Sequence, residues 1–177
     1  MPTTLLEGLL SGISHPAVGL DHLTFMVVVG LVAALMPSGA ALIASFVVAS
    51  LIGVVIHAAN YDFAYSEQLV AATVILAGLL LIAGYGSRRS IWLTFAVIAG
   101  LIHGYAFGET ILGANRDVAG AYMLGVLGTV IAITAAVTLV VSKGWKVSDA
   151  ASVPVRAVGA VVAAIGIYLL IALLRGE

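Results

Sequence analysis

The chain of 177 residues contains no cysteine, which removes disulfides, thiolate metal centres and redox chemistry at sulfur. Charge is nearly as scarce: 7 Lys+Arg and 8 Asp+Glu make up 8% of the residues and leave a formal net charge of −1. So few cations give no field for a phosphate backbone, and no nucleic-acid partner is expected. There is no Gly-rich loop ending in Lys-Ser/Thr, so ATP does not drive this chain through a phosphate-binding loop. The His-Glu-x-x-His spacing that would place two ligands and a base on one helix face is also missing, which argues against an intramembrane metallohydrolase. We expect no enzyme activity and no organic cofactor. What is abundant is apolar: 63% of the residues are hydrophobic and the mean hydropathy is +1.23, far above a soluble domain's roughly 45–50% apolar content. The expected partner is the lipid bilayer, and the expected class is an all-α integral membrane protein.

Apolar stretches broken by Pro, Gly or charge predict a bundle of six transmembrane helices, each near the ~20 residues that cross a bilayer core. They lie near Leu5–Leu35, Ala40–Ala59, Glu67–Tyr85, Ile91–Gly108, Ala119–Val141 and Pro154–Leu174. The breaks leave no room for a soluble domain, so residues 1–177 form a single transmembrane domain. Trp92, Trp145 and Tyr85 are expected to anchor at the membrane interface. Arg88, Arg89, Lys143, Lys146 and Arg156 gather at one side. The other side holds Arg116 and Arg175 against Glu7, Asp62, Glu67, Glu109, Asp117 and Glu177. The basic side faces the cytoplasm, so the N-terminus and C-terminus are both expected outside. Met1-Pro2-Thr3-Thr4-Leu5-Leu6-Glu7 carries no basic residue of a secretory n-region, and an outside N-terminus needs help to insert. A signal peptide cleaved from the natural precursor is the expectation.

Within this apolar background stand two clusters, His15-Pro16-Ala17-Val18-Gly19-Leu20-Asp21-His22 and His103-Gly104-Tyr105-Ala106-Phe107-Gly108-Glu109. An uncompensated ionisable group at bilayer depth costs roughly 2.5 kcal/mol or more, so several together indicate an ion or proton pathway. Imidazole with carboxylate suits Ni, Co, Zn or Mn better than Cu(I) or an iron–sulfur cluster. At about 1.5 Å per helical residue, His22 lies about 20 Å, His103 about 18 Å and Glu109 about 27 Å from the cytoplasmic end, with Asp21 level with His22. The two clusters are therefore expected to meet in the outer half of the bundle. His15, Asp21, His22, His103 and Glu109 are the candidate metal-binding residues.

His15 and His22 are separated by about 10 Å along a straight helix, too far for one ion with metal–nitrogen bonds of ~2.1 Å. Pro16 and Gly19 lie between them and can bend or unwind the segment. Met26, one turn after His22, is a secondary candidate through its thioether, though core packing is the ordinary role of such a residue. His57 and Glu67 are secondary candidates near the same layer, with hydrogen-bonded packing and an interfacial charge as their plainer readings. Gly100, Gly104 and Gly108 repeat every four residues and let a neighbouring helix approach closely, offering a face for a homo-oligomer.

The pattern His15-Pro16-x-x-Gly19-x-Asp21-His22-x-x-x-Met26, followed by His103-Gly104-x-Ala106-x-Gly108-Glu109, resembles the HupE/UreJ family of hydrogenase and urease accessory proteins over essentially the whole chain. The resemblance implies secondary uptake of Ni²⁺ or Co²⁺, with Zn²⁺ also compatible, across a bacterial plasma (inner) membrane. It also implies that the motif residues His15, Asp21, His22, His103 and Glu109 are needed for transport. Many members carry a second His where this chain has Phe107, a departure that resembles the cyanobacterial-type branch. The competing expectation is a membrane accessory protein that binds metal for enzyme assembly without transporting it.

Overall fold

The computed structural model describes residues 1–59, 63–145 and 149–176. Asp62, Lys146 and Glu177, which entered the charge comparison, lie outside the described residues. Seven α-helices and one 3₁₀ turn account for 83% of the described chain, with no strand among its residues. They are α1 Leu5–Val18, α2 Leu20–Ala34, α3 Gly39–Ala58, α4 Ser66–Ile82, α5 Arg89–Gly108, the turn Glu109–Ile111, α6 Arg116–Gly144 and α7 Val153–Arg175.

Four of these, α3, α5 with its terminal turn, α6 and α7, are long and apolar enough to cross a membrane. The predicted first span is two helices that meet at 73°, and counting the pair as one span gives five. The shorter apolar helix α4 has 17 residues. Each predicted stretch thus recurs as helix, but the six-span count rests on accepting one broken and one short element. The outer surface bears out the membrane character: Val48, Ile52, Leu79, Ile98, Leu124, Val140, Val161 and Tyr168 all point outward. Such a surface is stable where the surrounding medium is hydrocarbon and every backbone group is satisfied inside a helix.

In hydrocarbon, apolar burial drives helix association weakly, and close backbone packing takes its place. Four helix pairs use it, the α2–α6 pair through Gly30 beside the Thr134 carbonyl. Gly12 of α1 lies against the Tyr122 carbonyl of α6, Gly104 of α5 against the Ser50 carbonyl of α3, and Gly78 of α4 against Gly159 of α7. The Gly100/Gly104/Gly108 face, expected to meet a second copy, is occupied within the same chain: Ala49, Ser50, Val54 and His57 of α3 fill it. Within the chain, that face forms the α3–α5 seam.

Helix α2 runs among the other three pairs and contributes Phe25, Met26, Val28, Val29 and Val32 to the core, each at most 1% exposed. Trp92, expected at an interface, is also in the core, and its indole N–H donates to the Tyr85 carbonyl at 2.9 Å. Burial is possible for it because that carbonyl, which also accepts the Arg88 N–H at 2.9 Å, satisfies the only polar atom of the ring with its second lone pair.

The α3–α4 and α5–α6 connections and the C-terminus of α7 share one end of the bundle, and Met1 reaches Gly113 there. Arg88, Arg89, Lys143 and Arg156 belong to the opposite end.

Candidate metal site at a broken helix

Helix α1 starts from a capping box in which the Glu7 N–H donates to Thr4 Oγ1 at 3.2 Å and the Thr4 N–H donates to Glu7 Oε2 at 3.3 Å. It ends because Gly19 takes φ −62° and ψ 109°, an extended conformation that stops the hydrogen-bond ladder. Helix α2 begins at the next residue, and the Leu23 N–H donates to the Gly19 carbonyl at 2.8 Å. Gly19 is needed here for space. A Cβ would stand 2.9 Å from His22 Cδ2 and 3.0 Å from Asp21 Oδ1.

The bend removes the separation that a straight helix would impose. The ring centroids of His15 and His22 are 5.4 Å apart, about half the ~10 Å rise of seven regular residues. Asp21, in the first turn of α2, accepts the His22 backbone N–H at 2.7 Å, and the same oxygen lies 4.0 Å from His22 Nε2. A carboxylate at a helix N-terminus is favoured by the free N–H groups and the dipole there.

His15, Asp21 and His22 line a cavity of about 440 Å³ together with Glu67 from the start of α4, Glu109 and Thr110 after α5, and Leu169 and Leu173 near the end of α7. It lies at the end of the bundle opposite Arg88, Arg89 and Lys143. Three carboxylates and two imidazoles thus face one space, with Val70, Ala71 and Ala106 forming apolar wall. In the arrangement shown, no three His, Asp or Glu among the described residues are close enough to hold one ion. Gathering them needs side-chain movement within the cavity.

His103 stands behind this space. Its ring is fully buried, 5.0 Å from His22 and 4.5 Å from Phe25, and its Nδ1 is 2.9 Å from His22 Nδ1. The two sequence clusters therefore meet, through His22 and His103. Phe107 packs 4.4 Å from the His22 ring and 5.5 Å from that of His15, so it adjoins both cavity imidazoles.

The secondary candidates divide. Glu67 lines the cavity. Met26 is wholly enclosed in the apolar core and is not among the lining residues. His57 is also outside the cavity lining: its ring lies 4.2 Å from Tyr105 and its Cβ abuts Gly108.

Three polar residues at the site escaped the sequence reading. Thr73 lies 2.9 Å from His103 Nε2, while Tyr122 Oη and Thr110 Oγ1 each lie 2.9 Å from His15 Nδ1. A Thr in a helix bonds its own backbone so often that only the partner's position marks it out, and the far-reaching hydroxyl of a Tyr has no partner that sequence spacing specifies.

The chain matches the family described as HupE / UreJ protein over residues 2–169. No curated protein and no solved structure matches it.

Proposed function

Since the chain belongs to the HupE/UreJ family, which is linked to nickel and cobalt uptake or to accessory roles for metalloenzymes, we propose that it is a secondary transporter carrying Ni²⁺ or Co²⁺ inward through the cavity at the α1–α2 break. The observation that carries this reading is the broken helix itself. Discontinuous helices place helix ends and freed backbone at the substrate sites of secondary transporters, and here the break turns two distant imidazoles toward one cavity with three carboxylates.

Each group has a task. Asp21, Glu67 and Glu109 offset the cost of removing water from a divalent cation. Imidazole nitrogen favours a borderline metal over Ca²⁺ and Mg²⁺, which prefer oxygen shells. A site not closed around the ion suits transport, because an ion held in a finished cage does not leave. The cavity end is assigned to the outside, since the Lys/Arg-rich loops belong to the opposite end. With a negative interior, the membrane potential contributes about 2.3 kcal/mol per charge per 100 mV, and twice that for a divalent ion. No nucleotide is required for accumulation. The setting proposed is a bacterial inner membrane.

Proteoliposomes holding this chain alone test the reading. Uptake of Ni²⁺ or Co²⁺ above that of empty vesicles, driven by an inside-negative potential, is expected. Metal binding without any flux would assign the chain to the non-transporting accessory class.

A further inference from the structure

We infer that His103 is a positioning residue that fixes which nitrogen His22 offers to the metal, and that Thr73 anchors this relay. The inference rests on the transport site proposed above and assigns the hydrogen atoms within it.

Thr73 settles the direction of the chain. Its hydroxyl has one proton, and the Val70 carbonyl one turn back receives it at 2.7 Å. The contact between Thr73 Oγ1 and His103 Nε2 at 2.9 Å is then made by the imidazole N–H donating to the hydroxyl oxygen. A neutral imidazole that carries its proton on Nε2 has a lone pair on Nδ1. The His103 Nδ1 atom faces His22 Nδ1 at 2.9 Å, so His22 donates from Nδ1. The lone pair of His22 is left on Nε2, the edge toward Asp21. Both nitrogens of His103 are engaged and its ring is fully enclosed, which leaves it no nitrogen for an ion.

The other cavity histidine follows the same rule by a separate route. The Tyr122 hydroxyl donates to the Phe107 carbonyl at 2.7 Å, so its oxygen accepts from His15 Nδ1 at 2.9 Å, with Thr110 Oγ1 equally near that nitrogen. His15 and His22 are both held with Nδ1–H turned into the protein and bare Nε2 available. This is the arrangement in which metal-binding histidines are oriented by a partner at their second nitrogen.

The test combines a metal-free and a metal-bound measurement on the full chain in detergent. ¹⁵N NMR of histidine-labelled protein, assigned by the signals lost in His22→Asn and His103→Gln, is expected to show protonated Nδ1 in His22 and protonated Nε2 in His103. A proton on His22 Nε2 would overturn the relay whatever the protein transports. With Co²⁺ as probe, Thr73→Val is expected to weaken binding about tenfold, at the lower end of the 10–100-fold typical for lost ligand orientation, while Thr73→Ser retains it. His103→Asn keeps an acceptor at the Nδ1 position and is expected to leave the number of cobalt-bound imidazoles, counted by X-ray absorption, unchanged. Loss of one imidazole in His103→Asn would make His103 a ligand and refute the inference. If the wild-type chain bound no Co²⁺ while the NMR pattern held, the transport site would fail and the hydrogen-bond relay would stand.

Discussion

The α3/α5 seam and the α1/α2 break both depend on glycine, and they use it for opposite ends. At the seam, Gly104 lets two continuous helices close until the Ser50 carbonyl fills the space a side chain would need. At the break, Gly19 leaves room beside a stopped helix for His22 and Asp21, and polar groups open into a cavity. The first removes space and supplies rigidity. The second preserves space and supplies chemistry, so damage to the two should separate cleanly into lost fold and lost transport.

The largest effect is expected at the seam. Gly104→Val puts side-chain atoms into backbone that cannot yield, so α3 and α5 must part, and the protein should fail to be recovered as a monodisperse species. Gly120→Ala, where a Cβ meets nothing within 4 Å, should be recovered like the wild type under the same size-exclusion measurement. Equal recovery of Gly104→Val would remove the seam from the stability of the fold.

Next comes His22→Ala, which should abolish metal uptake while the protein is still inserted and recovered. His22 has only 4% of its surface exposed and is held by neighbours on α2 and α5, but those contacts shape the site and leave the helix seams intact. Initial uptake rates normalised to protein in the membrane measure this.

Gly19→Ala should act more mildly. The new Cβ presses on His22 Cδ2 at 2.9 Å, Asp21 Oδ1 at 3.0 Å and the His15 carbonyl oxygen at 3.2 Å, so it shifts the site's own groups and leaves the helix seams alone. A fall in apparent metal affinity of about tenfold with unchanged recovery is expected, the scale of a misoriented ligand. Concentration dependence of Co²⁺ uptake separates this from a loss of maximal rate.

The smallest effect is that of pH. Imidazole binds metal only when neutral, and its unperturbed pKa is about 6.5. Protons and metal compete for the same nitrogens, so apparent affinity should be full on the alkaline side and fall as the outside is acidified. Affinity at fixed free metal and fixed membrane potential checks this, and stimulation by external acid would favour proton-coupled symport instead.

Much of the element order was legible because hydrocarbon leaves apolar length as nearly the only requirement. The predicted Ala40–Ala59 and Pro154–Leu174 recur as Gly39–Ala58 and Val153–Arg175. The bend at Gly19 was readable from Pro16 and Gly19 together with the need to bring His15 and His22 closer, although α1 continues through Pro16 to Val18. The partner of each helix face was not: the Gly100/Gly104/Gly108 repeat announces close approach but not whether α3 or a second copy makes it. Nor were the roles of Thr73 and Tyr122, because a hydroxyl acquires direction only from the carbonyl that takes its proton. The separation of His103 from the cavity was hidden for a related reason, since depth along a helix does not say what stands in front of the ring.

The absence of cysteine makes the most direct measurement possible on a cavity residue that is not a candidate ligand. Leu173→Cys places the only thiol of the chain in the lining, where a bulky membrane-impermeant thiol reagent can plug the space. Ni²⁺ or Co²⁺ uptake by proteoliposomes of this variant should be close to normal before labelling and lost in proportion to the thiol modified. Complete modification with uptake unchanged would show that the metal does not pass through the cavity at the broken helix.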